Sequence, residues 1–342
     1  MTNRGKKLPI LSTVSLLLLT IFFLQNYAAG SNPGSPLFVD IEQVELKLDN
    51  LVFSSIDLIR KLPDGFIIVI SESLSNNKYT IVKTDKNGNI VCIYDKRGNG
   101  PGELRHIGKI VVLEDSILVS EVTSPFIHKY SLNLEFLEDY RIKKGGFIFD
   151  VDNYIGLWAP HYEGDKIYTL ALYDKKSLEF KRYAFEVDEV PAYTHFWGGI
   201  CKADNGLFAG LYSKDYKIFI FDNELNFKKC LIDKTPPHIK KYTPAKLDPH
   251  TIDENSVKWI HTWSKMKDIF FVDGNFILKY VYNNKRYLDI ISHEGSLLQG
   301  NIQEPKDCSN IFTDGKFIWK MKWKDIDDEV TKYFIVKTRL NL

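Results

Sequence analysis

The chain has 342 residues, 44% of them hydrophobic and 13% aromatic, with 45 Lys and Arg against 44 Asp and Glu and four Cys. That apolar content excludes disorder, so few Cys exclude a disulfide scaffold, and the even charge balance excludes a basic nucleic-acid reader. What remains is a large globular protein, which a rule of ~150 residues per domain would divide in two unless the fold is a repetitive all-β one.

Residues 1–30 have the order of an export signal: Arg4, Lys6 and Lys7, an apolar run from Leu16 to Leu24, then Ala28-Ala29-Gly30 before Ser31. Cleavage after Gly30 would place Ala28 and Gly30 at the small-residue positions, and cleavage one or two residues earlier is also compatible. The alternative is a retained anchor. The uncharged stretch from Leu8 to Ala29 reaches the ~20 residues a bilayer requires, but Ser12, Thr13, Ser15, Thr20, Gln25 and Asn26 dilute it. The expected location is periplasmic or extracellular, with an inner-membrane anchor as the lesser reading. Removing residues 1–30 takes away three basic and no acidic residues, which moves the net charge from +1 to −2. Neither nucleic acid nor an anionic membrane is then an expected partner.

The remaining chain reads as one unit repeated. Val44-Glu45-Leu46-Lys47-Leu48-Asp49 alternates apolar with charged residues, the mark of a half-buried strand. A strand near Ser54 to Leu62 is followed by the turn Asp64-Gly65, a strand from Phe66 to Ile70, another from Lys78 to Thr84, a turn at Asp85 to Gly88 and a strand from Asn89 to Tyr94. The leading turn recurs at Glu114-Asp115, Glu163-Gly164-Asp165, Asp204-Asn205-Gly206, Asp273-Gly274 and Asp314-Gly315, each before a run rich in Ile, Val, Phe and Tyr. From Asp64 to Asp314 the mean period is 50 residues. A second turn follows at Ser131-Leu132-Asn133, Asp174-Lys175-Lys176, Asp222-Asn223-Glu224 and Ser292 to Gly295. Asp, Asn and Gly tolerate the positive φ of tight hairpins, and four strands per unit of ~40 to 50 residues is a propeller blade.

The expected fold is therefore an all-β, six-bladed β-propeller with four-stranded antiparallel blades, one domain over residues 37–342. The last unit, ending in a strand from Tyr333 to Leu340, is one strand short, so the N-terminal strand is expected to complete it and close the ring. The best helical pattern, Pro244 to Val257, falls in an irregular insertion between blades four and five that also holds Thr235-Pro236-Pro237-His238 and Asp248-Pro249-His250. Of the Cys, 109, 29 and 78 residues apart, none has zinc-type spacing, and Cys201 with Cys230 is the candidate disulfide pair.

At Arg97-Gly98-Asn99-Gly100-Pro101-Gly102-Glu103-Leu104, with Ile110-Val111-Val112, Asp115 to Ser120 and Ile127 to Ser131 behind it, the chain resembles the NHL-like six-bladed propellers of exported bacterial proteins. The close match covers ~40 residues of one blade. Only that blade has the Gly-rich approach, and Ser120-Glu121 stands where NHL repeats usually carry Asp. The resemblance implies the fold and no particular activity, since such propellers include binding modules, hydrolases and lyases. Without a Gly-Lys-Ser/Thr ending or a following helix, the Gly-rich run is not a nucleotide loop and reads first as a tight crossing between blades.

The candidate ligand-binding residues are those where the chain leads into each innermost strand: Glu103, Arg105 and His106; Trp158 and His161; His195 and Trp197; His261 and Trp263. Three of these clusters pair His with Trp, whose faces and donors suit a carbohydrate, peptide or protein ligand. Each has a plain alternative, Trp as packing between sheets and His as a hydrogen-bonded structural residue. The leading expectation is a monomeric binding module working at one rim of the axial channel, without a cofactor. A divalent metal enters only under the second reading, a hydrolase of a lactone, ester or glycan, for which several His would have to converge; Glu103 and Asp268 are the few suitably placed acids. The third reading is a structural scaffold in the cell envelope.

Overall fold

The structure, a computed structural model, describes residues 37–48, 51–72, 79–191, 194, 197–244, 254–304, 308–326 and 331–342. The export signal and His195 lie outside the described residues. β1 (Phe38–Leu46) comes first. Blade one follows as β2 (Ser55–Leu62), β3 (Gly65–Ser71), β4 (Tyr79–Asp85) and β5 (Ile90–Tyr94), and blade two as β6 (Ile107–Val112), β7 (Ser116–Glu121), β8 (Phe126–Ser131) and β9 (Phe136–Arg141). Blade three is β10 (Phe147–Val151), β11 (Tyr154–Glu163), β12 (Lys166–Asp174) and β13 (Phe180–Val187); blade four is β14 (Gly198–Lys202), β15 (Phe208–Tyr212), β16 (Ile218–Phe221) and β17 (Phe227–Leu231). Blade five is β18 (Lys265–Val272), β19 (Asn275–Tyr282), β20 (Lys285–Ser292) and β21 (Leu297–Gln303). Blade six holds β22 (Cys308–Thr313), β23 (Ile318–Asp325) and β24 (Thr331–Leu340), with β1 added outside β24.

This is the six-bladed propeller that the turn spacing predicts, and the N-terminal strand does close its last blade. Asp40 of β1 accepts hydrogen bonds from Lys320 of β23 at 2.8 Å and from Thr338 of β24 at 2.9 Å. Burial alone would raise its carboxyl, but the bonds from Lys320, Lys322 and Thr338 outweigh that and lower it to about 2. Residues 40–339 form one compact unit.

Apolar side chains explain why each sheet faces its neighbours. Second strands such as β3 and β7 are buried along their whole length, which is why Phe66-Ile67-Ile68-Val69-Ile70 is continuous rather than alternating. Ile67, Val69 and Ile81 of blade one pack with Ile110, Ile117 and Val119 of blade two in one cluster. Corresponding layers join blades two and three, three and four, and four and five, and another joins blade six to blade one. The core is thus a set of layers between blades, and the axis is left to the side chains of the innermost strands. Turn chemistry follows the sequence: Asp273 and Gly274 have φ of 48° and 76°, the successive positive values that a type I′ hairpin requires.

Two sequence expectations need correction. In blade three the aligned turn Glu163-Gly164-Asp165 joins the second and third strands; the turn between the first two is Asp152-Asn153. β11 and β12 are long enough that both of their hairpins carry the same acidic signature. Of the helical pattern from Pro244 to Val257, residues 245–253 lie outside the described residues, and its described end belongs to the short α1 (Glu254–Ile260). Cys201 and Cys230 are both free and lie on β14 and β17, the two edges of one sheet. Three strand spacings separate them by ~14 Å, twice the ~7 Å that a disulfide tolerates between Cα atoms. No helix among the described residues is long and apolar enough to cross a membrane.

Candidate functional site

The innermost strands β2, β6, β10, β14, β18 and β22 turn alternate side chains to the axis. Two cavities open there from opposite rims. The larger, about 860 Å³, lies at the rim formed by the N-terminal ends of these strands, with Ser55, Gly108, Phe147, Gly198 and Lys267 in its wall. The smaller, about 520 Å³, opens at the other rim beside Lys61, Asp150 and Asp314. Both are lined by Arg60, Lys109, Asp268 and Phe270, which mark the waist where the two meet.

Local irregularity aims several of these groups. β2, β6 and β18 each carry a register shift against their neighbouring strand near the N-terminal rim, at Ile56/Leu58, Ile107/Lys109 and Met266/Asp268. The extra residues are Asp57, Gly108 and Lys267, and all three line the larger cavity. A bulge bends a strand and re-aims its side chains, so three bulges in register around the axis shape one mouth.

The charges at the waist are incompletely neutralised. Arg60 donates from Nε to the Ile110 carbonyl at 3.1 Å and from Nη1 to the Ile59 carbonyl at 2.7 Å, leaving Nη2 without an acceptor among the described residues. Lys109 holds its Nζ 3.4 Å from the centre of the Phe149 ring, a cation–π contact. Burial draws the Lys109 ammonium down to about 8 and the Arg60 guanidinium to about 10, against the opposing field of Asp268. Lys267 is also drawn to about 8, by burial and by the like charges of Lys279 and Arg286. Its Nζ lies 5.6 Å from the Trp197 ring. Among the described residues neither Lys109 nor Lys267 has an acidic partner within 4 Å, whereas nearby Lys279 is matched with buried Glu304 at 2.7 Å.

Of the residues singled out in the sequence, Trp197 and Asp268 line this cavity. Trp158 is fully buried in the second strand of blade three, where its Nε1 donates to the Trp197 carbonyl at 3.3 Å and so holds that residue in place. His161 follows on the same strand, buried and stacked on Tyr183 with 5.2 Å between centroids; burial pushes it down to about 4, which keeps it neutral at pH 7. Glu103 folds back on the Gly-rich crossing and accepts from the Gly100 N–H at 2.8 Å. A Cβ on Gly102, at φ 71°, would lie 2.5 Å from the Phe136 ring, so the glycine is needed for the close crossing between blades.

Arg105 is exposed and His106 half-buried, and both backbone N–H groups are held by the buried Glu121, at 2.5 and 3.2 Å. Glu121 also stands 3.7 Å from His128 Nε2, while His128 Nδ1 lies 2.6 Å from Asp139. Trp263 is fully buried against Tyr242, with 4.8 Å between ring centres, in a cluster with Trp259 of α1; His261 lies in the turn just before it. Neither lines the cavity. No group of three His, Cys, Asp or Glu that could hold a metal ion occurs among the described residues.

Sequence reasoning thus missed Arg60, Lys109, Lys267 and most of the mouth. Their signal is a charged residue inside an otherwise apolar innermost strand, as in Leu58-Ile59-Arg60 and Gly108-Lys109-Ile110. No family model and no curated protein matches the sequence. Solved structures do share its ring. A protein described as exported, from Bacteroides fragilis NCTC 9343, superposes with a TM-score of 0.63 and 13% identity, over 90% of this chain and 96% of that one. A member of the DUF4221 family from Bacteroides vulgatus atcc 8482 gives 0.65 and 12%, over 89% and 98%. At such identities the likeness concerns the fold alone.

Proposed function

We propose that this chain is an exported binding module that takes a small ligand, a saccharide or a peptide, into the mouth of its axial channel at the N-terminal rim. The observation that carries the reading is the cavity of about 860 Å³, within the range of small-molecule sites, walled by a half-exposed Trp197 and by three strands bulged at the same level. An aromatic face beside polar groups suits a ligand with one apolar face and polar edges. Export is supported by the order of residues 1–30 and by the description of one structural neighbour as exported.

A thermal-shift screen of the wild type and Trp197→Ala over oligosaccharides, peptides, lactones and divalent metals tests the site. A ligand at 100-fold its Kd adds ~2.7 kcal/mol to stability, which is readily seen. The reading fails if no compound raises the wild-type Tm, or if those that do stabilise Trp197→Ala equally. N-terminal sequencing of the protein recovered from the periplasm or medium tests export, with a new terminus expected between residues 29 and 31.

A further inference from the structure

We infer that the channel waist is an anion seat and that the ligand is an acidic sugar, a uronate or sulfated ring, which enters acid-first and leaves its ring in the wider mouth. This rests on the binding reading above and names the class of ligand. Lys109 Nζ, Lys267 Nζ and Arg60 Nη2 are charged donors that line or adjoin one cavity and have no protein acceptor among the described residues. A cation withdrawn from water without a partner is costly, and an anion at the waist beside Arg60 and Lys109, with Lys267 facing the same cavity nearer its mouth, restores the lost solvation through charge-assisted hydrogen bonds.

Asp268 is the one carboxylate at the waist, and its Oδ1 already accepts the Ile269 N–H at 3.0 Å. Its other oxygen offers an acceptor to a hydroxyl next to the acid group. Asp57 and Asp325, further out in the mouth, accept from Ser55 and Thr331, each at 2.7 Å. The cavity is too large for a lone inorganic ion, and its outer wall adds the rings of Trp197, Trp323 and Tyr333 to the cations. Cations within and flat faces without fit a ring that bears one acid group.

Isothermal titration of the full chain with glucuronate, galacturonate and glucose 6-sulfate, against glucose, galactose and benzoate, tests the inference. At least one acidic sugar is expected to bind about tenfold or more tighter than its neutral counterpart, and Lys109→Met to remove that advantage. Lys267→Met repeats the test if Lys109→Met does not fold. Equal affinity for acidic and neutral sugars, or an acidic advantage that survives both substitutions, overturns the anion seat. Benzoate bound as tightly as the uronates overturns the sugar and leaves a general carboxylate site. If no sugar binds but the earlier screen yields a Trp197-dependent ligand, this inference fails and the binding module stands.

Discussion

Glu121 ties the rim segment at Arg105 and His106 to the interior of blade two, and Glu121→Gln isolates what its charge does there. The side chain is buried, accepts the N–H groups of Arg105 and His106, and faces His128 at 3.7 Å. At an effective dielectric of about 20 that ion pair is worth about 4.5 kcal/mol before desolvation. Breaking one partner of a buried pair costs about 3 to 5 kcal/mol, so a loss of about 3 kcal/mol is expected. With an unfolding entropy of about 0.6 kcal/mol/K for ~300 residues, Tm falls by about 5 °C.

The pH dependence gives the sharper test. Burial alone would lower His128, but its contacts with Glu121 and Asp139 outweigh that and raise it. Its contribution is therefore complete below about 6.5, the unfolded value, and is lost as pH rises through the raised folded value. Burial would raise Glu121, but its bonds from His128, Arg105, Ser124 and His106 lower it to about 2, so its contribution is complete above about 4.5 and is lost as pH falls through about 2. The gap between wild type and Glu121→Gln should be widest near pH 5.5 and smaller at pH 8.5, as read by thermal unfolding at both. A gap under about 1 °C at pH 5.5, or one that does not narrow at pH 8.5, would refute this account of the pair.

Lys279→Met leaves buried Glu304 without its nearest cation and is expected to cost about 3 kcal/mol in urea unfolding, most of it recovered in Lys279→Met/Glu304→Leu; a cost under about 1 kcal/mol removes the pair from the account of blade five. Gly198→Ala forces φ of 104° on a residue whose Cβ would lie 2.4 Å from the Leu211 carbonyl and 2.8 Å from the Trp158 ring, so a loss of about 2 to 4 kcal/mol should appear as a lower Tm. Non-reducing peptide mapping should find no Cys201–Cys230 bond, and iodoacetamide should label exposed Cys230 well before Cys201, whose thiol burial pushes far up. Equal labelling rates would contradict the enclosed position of Cys201 on β14.

The ring was readable because hairpins constrain sequence locally: Asp64-Gly65 and Asp273-Gly274 must supply particular backbone conformations wherever the chain ends up. The same signal misled in blade three, where both hairpins of two long strands end in acids and the period alone could not say which came first. The site was less readable, because it is assembled from short stretches of all six blades that come together only around the axis. Trp197 drew notice as an aromatic in a loop, but Trp263 and Trp158 share that look and are core. In sequence Lys109 and Arg60 differ from other strand charges only in the direction of the alternation, which the ring supplies.

The strand that completes blade six also governs when the molecule can fold. Asp40 meets Thr338 across 298 positions of sequence, so the first strand to emerge from synthesis waits for the last before it has a neighbour. Contacts of such range are slow to form, because a long loop must close before any of them is gained. Until β24 is in place, β1 has no partner and blade six keeps an open edge, so the ring closes last.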